Sequence, residues 1–417
     1  KENKMKKTTL LSIITSTFML AGGDIAPVEP VVEESTPELN IGIFNDVKFN
    51  GQLLTRYEFA DDSVNDDANA ITTRFALSVR TGLLGIEGLS AFGQMMAVTN
   101  FGYDKYAPET PGYALIADPK NERITQAYLD YKIADTMIRA GRQMINLDDQ
   151  RFIGAVAWRQ MPQTFMGYTL TNSSIENLDL MASYVTKRYG IIDPLSRGQE
   201  NVFLHADYKV IPELTLSGYG YLLGSDSDTY GLMAKGKVGM FNYIAEVATQ
   251  QDSSLEYENM GKKDVDAMYF RGDISTKYNG FILGAAYESL GDADGNDHGF
   301  TTPLATLHKW QGFADVFLGY TATSSAYGLN DFYAKVGYAS LNFGKLLAIY
   351  HTFSTQETDG KLSDDAGNEL DLLYTYQFSN GIGLLAKAAF FSGETNSVIG
   401  AAQNDVTKYW VQFDYKF

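Results

Sequence analysis

The chain contains no cysteine, and among its 417 residues only 10 are proline and 4 are histidine. Without cysteine there is no disulfide framework, no zinc–thiolate centre, no thiol nucleophile and no lipoprotein anchor. The histidines, His205, His298, His308 and His351, lie in no H-E-x-x-H pattern. No G-x-S-x-G or Walker-type motif occurs either. His205 shares a strand face with Asp207, but two such residues alone do not make an acid–base pair. No catalytic residue, cofactor or metal is therefore expected. Beyond the N-terminal stretch there is no long apolar run, so no helical membrane span is expected. The chain also lacks a basic excess: its formal net charge is −18, which excludes nucleic acid as an expected partner.

Aromatic residues and glycine are abundant, with 27 Tyr, 24 Phe and 39 Gly. That composition suits many strands joined by turns. At the N-terminus, Met5-Lys6-Lys7 precedes an apolar run from Leu10 to Leu20 and then Ala21-Gly22-Gly23. A basic start, a short apolar stretch and small residues predict a secretory signal peptide over 1–23. Met5 is its plausible start, with residues 1–4 an upstream extension. Residues 24–44, with Pro27, Pro30, Glu33, Glu34 and Pro37, read as a flexible periplasmic linker. Residues 45–417 show no further boundary.

From residue 46 onward a two-residue period keeps returning. Val47, Phe49, Leu53, Tyr57 and Phe59 oppose Lys48, Asn50, Gln52, Arg56 and Glu58. Ile71, Phe75, Leu77 and Val79 oppose Arg74, Ser78 and Arg80, and Phe270, Ile274 and Tyr278 oppose Arg271, Asp273 and Lys277. Successive strand side chains point to opposite faces, so each stretch has one apolar and one polar face. A soluble sandwich would show the same alternation. Two features favour a membrane barrel. Short turns such as Ile133–Thr136 and Ser379–Gly381 alternate with long acidic segments at 61–69, 104–121, 291–309 and 356–368. Aromatics also recur at strand ends, as at Tyr57, Phe59, Tyr278, Tyr376 and Phe378, where they would form interfacial girdles.

The expected fold is all-β: a transmembrane antiparallel up-and-down β-barrel with short periplasmic turns and long extracellular loops. About 18 strands are expected, with 16 the main rival. The expected starts are residues 46, 70, 88, 123, 136, 164, 179, 201, 214, 230, 240, 267, 281, 331, 345, 369, 382 and 407. Lipid cannot satisfy backbone N–H and C=O groups, so the last strand must pair with the first. The last strand, VTKYWVQFDYKF, sets Tyr409, Val411, Phe413, Tyr415 and Phe417 on one face for lipid. Lys408, Gln412 and Asp414 are left to the lumen. This ending resembles the C-terminal assembly signal of Gram-negative outer-membrane proteins, which implies that Phe413, Tyr415 and Phe417 address the barrel-assembly machinery.

The densest motif is Gly141-Arg142-Gln143 … Arg151-Phe152-Ile153-Gly154 … Trp158-Arg159-Gln160 … Gln163-Thr164-Phe165. It resembles a segment of alginate-export-type outer-membrane proteins, and Gly312-Phe313-Ala314-Asp315-Val316-Phe317 and Gly328–Tyr333 extend the resemblance. Met166-Gly167 stands where that family tends to have aspartate. The resemblance implies an 18-stranded barrel whose arginine-bearing pore passes anionic solutes.

From the residues themselves, Arg142, Asp148, Asp149, Arg151 and Arg159 share one long connection and its strand edge. Folded inward, such a connection narrows the lumen, and its guanidinium forks would bind carboxylates. Alternatively it is an outer loop tied by its own Arg–Asp pairs. Arg56, Arg74, Arg80, Arg271, Asp273 and Lys277 complete the pore-lining candidates, each of them also explicable as a solvated interior residue. Asp292–Asp297 has the acidic spacing of a calcium loop, but Asp297 stands where glycine is needed and Pro303 where glutamate is needed, so a plain acidic loop is expected.

The expected function is an outer-membrane porin giving passive diffusion to small hydrophilic solutes, with a modest preference for anions such as organic acids or uronate-type sugars. The alternatives are a barrel enzyme or surface adhesin, and a soluble secreted sandwich. Outer-membrane lipid, lipopolysaccharide and a possible homo-oligomer are the remaining expected partners.

Overall fold

A computed structural model describes residues 39–193, 196–224, 226–255 and 263–417. The expected signal peptide and residues 24–38 of the expected linker lie outside the described residues.

The strands follow the alternating stretches. They are β1 (Phe44–Asp61), β2 (Ala68–Leu83), β3 (Leu89–Thr99), β4 (Asn121–Ile133), β5 (Thr136–Gln143) and β6 (Thr164–Ile175). Next come β7 (Leu178–Tyr189), β8 (Ser196–Ile211), β9 (Leu214–Leu223), β10 (Ser227–Val238), β11 (Phe241–Asp252) and β12 (Asp266–Tyr278). The set ends with β13 (Phe281–Leu290), β14 (Leu329–Ser340), β15 (Gly344–Ser354), β16 (Asp365–Gln377), β17 (Ile382–Ser392) and β18 (Val406–Lys416).

All of them form one 18-stranded antiparallel sheet, which removes the 16-stranded rival. β1 pairs with β2 on one side and with β18 on the other, in register from Gln52↔Lys416 to Asp61↔Thr407. The sheet is closed and has no free edge. An even strand number places the start of β1 and the end of β18 at the rim that carries the tight turns. Asn279 and Gly280 show how those turns are made: both have positive φ, 49° and 87°, the conformation of a two-residue hairpin between right-twisted strands.

The barrel is inverted relative to a soluble protein. Phe49, Leu53, Tyr57, Phe270, Ile274 and Tyr278 are exposed on the outside, where hydrocarbon would cover them. Arg56, Glu58, Arg271 and Asp273, on the same strands, are buried inside. The terminal strand follows the same rule: Tyr409, Val411, Phe413, Tyr415 and Phe417 face outward, while Trp410 and Lys408 are buried within.

The lumen is not an open tube. Two long connections, 144–163 and 291–328, fold into it. The end of a third, 104–121, expected as an outer loop, brings buried Asp118 against the first of them, Gln160 N donating to its Oδ1 at 2.7 Å. Ile153 and Leu304 form a parallel bridge between the first two, with Gly154 N donating to Leu304 O at 2.9 Å. Around that seam pack Phe152, Trp158, Phe165, Phe203, Tyr269, Phe300, Phe313, Phe317 and Trp410, the protein's main apolar core. The acidic segment 291–309, expected as an outer loop, is therefore the start of an inward insertion reaching residue 328. Its buried Phe300, Leu304, Phe313 and Phe317 give the reason, since water-exposed aromatics would cost burial energy of about 25 cal/mol per Å². The insertion carries a 3-10 turn, Leu307–Lys309, and one short helix, α1 (Leu318–Thr323).

Candidate solute pathway

The loop 144–163 turns back sharply at its tip, with Asp148 and Gln150 at φ 49° and 68°. Its approach to the second loop is close at Gly154, where a Cβ would lie 2.3 Å from Thr306 Oγ1. Only glycine fits there. Thr306 completes the seam, its backbone N donating to Gln150 O at 3.0 Å and its hydroxyl to Gln150 Oε1 at 2.7 Å.

The loop's charged residues do not pair with one another. They reach the barrel wall. Arg151 donates to Glu288 of β13 at 2.5 Å and to Thr302 at 2.9 Å. Asp149 accepts from Arg271 of β12. Asp148 meets His205 of β8 at 2.7 Å and Lys235 of β10 at 2.8 Å. Arg159 Nη1 lies 3.0 and 2.9 Å from the two carboxylate oxygens of Glu58 of β1, and Nη2 3.2 Å from Asp315 of the second loop. Neither expected arrangement is therefore complete: the loop narrows the lumen, but its arginines are engaged by wall carboxylates. Buried charges require such partners, since an unpaired one carries a desolvation cost of several kcal/mol. The loop carboxyls show the effect. Burial disfavours the Asp148 carboxylate, yet the His205 hydrogen bond and the Lys235 ammonium hold it below the usual range. Burial likewise opposes the Asp149 charge, and Arg271 outweighs it.

A second hub surrounds Asp315. It accepts from His308 Nδ1 at 2.6 Å and from Lys408 of β18 at 3.3 Å. His308 Nε2 lies 2.6 Å from Lys387 Nζ of β17. Deep burial keeps His308 well below the ordinary histidine range, so a neutral ring donates to Asp315 and accepts from Lys387. The imidazole stacks on Trp158, 4.5 Å between ring centres, and Arg56 covers that indole's ring at 3.9 Å. Arg56 also donates to Asp118 at 3.0 Å and to the Trp158 carbonyl at 2.5 Å.

Other candidates fall in three places. Arg74 lies beside the loop and donates to the carbonyls of Arg159 and Gln160 at 3.3 and 3.0 Å, with no acid bound to it among the described residues. Asp273 pairs with Lys335 across the wall at 3.1 Å. Six residues beyond Arg74, roughly 20 Å along β2 toward the periplasm, Arg80 shares Asp130 with Arg139. Arg139 grips that carboxylate at 2.7 and 2.9 Å, and Arg80 approaches it at 3.2 Å. The rings of Phe92 and Tyr128 stack beside them, with Arg139 3.9 Å from the Tyr128 ring centre. Both guanidiniums converge on the Asp130 carboxylate, and the Arg80 side chain is 43% exposed.

Two candidates lie away from the constriction. Arg142 is on the outward face of β5, in register with exposed Ala127, because Ile138, Ala140 and Arg142 alternate with Arg139, Gly141 and buried Gln143. Lys277 is exposed near the periplasmic end of β12. Sequence reading overlooked Glu58, Asp118, Glu288, His308, Asp315 and Lys387 as partners. Glu58 had one available signal, its place on the polar face of β1.

Asp148, His205 and Asp207 place one ligand atom each within 4.8 Å of one another, a spacing a divalent ion could use. Lys235 already fills that position, at 2.8 Å from Asp148 and 3.4 Å from Asp207. With an ammonium there the group is charge-compensated and fits no metal. The Asp292–Asp297 segment is held by its own backbone, Asn296 N donating to Ala293 O at 2.8 Å.

A closed, lipid-faced antiparallel barrel with two loops narrowing its lumen defines an outer-membrane channel. The family model described as alginate export matches residues 45–279, and the chain belongs to that family. No curated protein matches the chain. Among solved structures it is similar to Pseudomonas aeruginosa OpdO, with a TM-score of 0.67 at 13% identity over 89% of this chain and 97% of that one. It is also similar to Acinetobacter baumannii OccAB3, with a TM-score of 0.68 at 16% identity over 89% of this chain and 100% of that one. A third similar structure is Pseudomonas aeruginosa OpdK with vanillate, with a TM-score of 0.65 at 13% identity over 90% of this chain and 100% of that one. At such identities these likenesses establish the fold.

Proposed function

We propose that this outer-membrane channel is selective for small organic anions, drawing them past a loop-built constriction toward a basic station on its periplasmic side. The observation carrying this reading is the Arg80–Asp130–Arg139 group, where one carboxylate serves two guanidiniums. A solute carboxylate would bind the exposed Arg80 guanidinium, and the stacked Phe92–Tyr128 pair offers a flat apolar surface beside it. Arg74, buried behind the loop and bonded to the Arg159 and Gln160 carbonyls and to Gln52 Oε1, adds positive potential at the constriction. The similar OpdK structure holds vanillate, itself an aromatic carboxylate, which accords with such a station.

The test is single-channel recording of refolded protein with benzoate, glucuronate and chloride as permeant anions. Arg80→Gln with Arg139→Gln should lower anion permeability relative to potassium several-fold. Unchanged selectivity in that variant would remove the station from the pathway.

A further inference from the structure

The outer face of the wall carries a feature that solute passage does not use. Arg142 of β5, Met166 of β6 and Lys187 of β7 form one row; alternation points the first two outward, and a register irregularity at Thr186 of β7 turns the exposed Lys187 to the same face. The row lies one rung toward the long loops from the exposed pair Tyr168 and Tyr184, at the level of an interfacial aromatic girdle. Arg142 stacks on Tyr189 at 3.8 Å and donates through Nε to Thr164 Oγ1 at 2.8 Å. Its Nη2 is shielded from solvent and has no acceptor among the described residues. No carboxylate pairs with Arg142 or Lys187 among the described residues, in a chain whose net charge is −18.

Below this row, on the same face, lies an apolar trough of about 610 Å³. Leu170, Leu180 and Leu204 border it, and Ala182, Gly218 and Gly220 lower its floor. From Met166 to Leu170 is four residues, roughly 13 Å along the strand. The distance suits a molecule with an anionic head at the membrane surface and an acyl chain in the hydrocarbon layer. An unpaired cation facing lipid at the interface attracts phosphate, and apolar surface left bare by small residues gains from chain contact.

We propose that strands β5–β9 bind a phosphorylated outer-leaflet lipid of the lipid A class. Arg142 and Lys187 hold its phosphate and the trough takes one acyl chain. The site stands apart from the solute pathway, since both cations face away from the lumen.

The experiment is native mass spectrometry of refolded protein in detergent, titrated with bisphosphorylated lipid A, dephosphorylated lipid A or inorganic phosphate. Wild type should retain the phosphorylated lipid, and Arg142→Gln with Lys187→Gln should lose at least tenfold in retention. Ala206→Phe, which fills the trough, should lose it as well. Heat-modifiable migration verifies folding, and Lys187→Gln alone, at an exposed position, should give a partial loss. Equal retention by the double variant overturns the proposal, as does equal binding of dephosphorylated lipid. Full displacement by millimolar inorganic phosphate would mark a free-anion site and overturn it too.

Discussion

Arg159 and Glu58 meet inside the barrel at 2.9 Å although 101 residues separate them in sequence. The contact fastens the inserted loop 144–163 to the first strand, and both side chains are almost wholly buried. Removing one partner strands the other charge in a dry interior, at a cost of roughly 3–5 kcal/mol. Arg159→Gln is expected to destabilise the loop more than the barrel. Single-channel traces should show a larger, noisier conductance, and adding Glu58→Gln should restore part of the lost stability in urea unfolding.

The Phe417 ring lies over Gly51, where a Cβ would come within 2.4 Å of it. The backbone is joined there as well, with Phe417 N donating to Gly51 O at 3.0 Å and Gly51 N to Phe417 O at 2.6 Å. Deleting Phe417 removes this closing pair and the aromatic cover of a strand glycine. The heat-modifiable fraction recovered in the outer membrane should fall several-fold. Gly51→Val, which displaces the ring, should give a milder loss.

Asp148 titrates below its ordinary value of 3.8, because the contacts from His205 and Lys235 outweigh burial. A carboxyl whose folded value is depressed stabilises the fold fully above its unfolded value and loses that contribution as pH falls through the folded one. The stability gap between wild type and Asp148→Asn should thus be present in full in mildly acidic solution above pH 3.8 and shrink below it. Urea unfolding at a series of pH values measures the gap. A gap that closes already near neutral pH would contradict this latch.

How much of this was legible in the sequence depends on range. The barrel was, because alternation is local: the expected starts at residues 136, 164, 214, 281 and 382 coincide with those of β5, β6, β9, β13 and β17. The largest displacements fall at β8 and β16, where Ser196–Gln199 has no apolar residue and Asp365–Asn368 only Ala366 to mark a phase. The constriction was legible only as a residue set. Arg151 and Asp149 were singled out, but Glu288 and Arg271 lie 137 and 122 residues away, and no local spacing announces them. Arg142 shows the opposite limit. Alternation within β5 is blurred by Ala140 and Gly141, so its outward face emerged only from register with β4 and β6.

The most direct test is the reversal potential of the reconstituted channel in a planar bilayer under a KCl gradient. A potential of the same sign as the chloride equilibrium potential, reduced toward zero by Arg80→Gln with Arg139→Gln, is the expected result. A potential of the potassium sign in the wild-type channel would contradict the account.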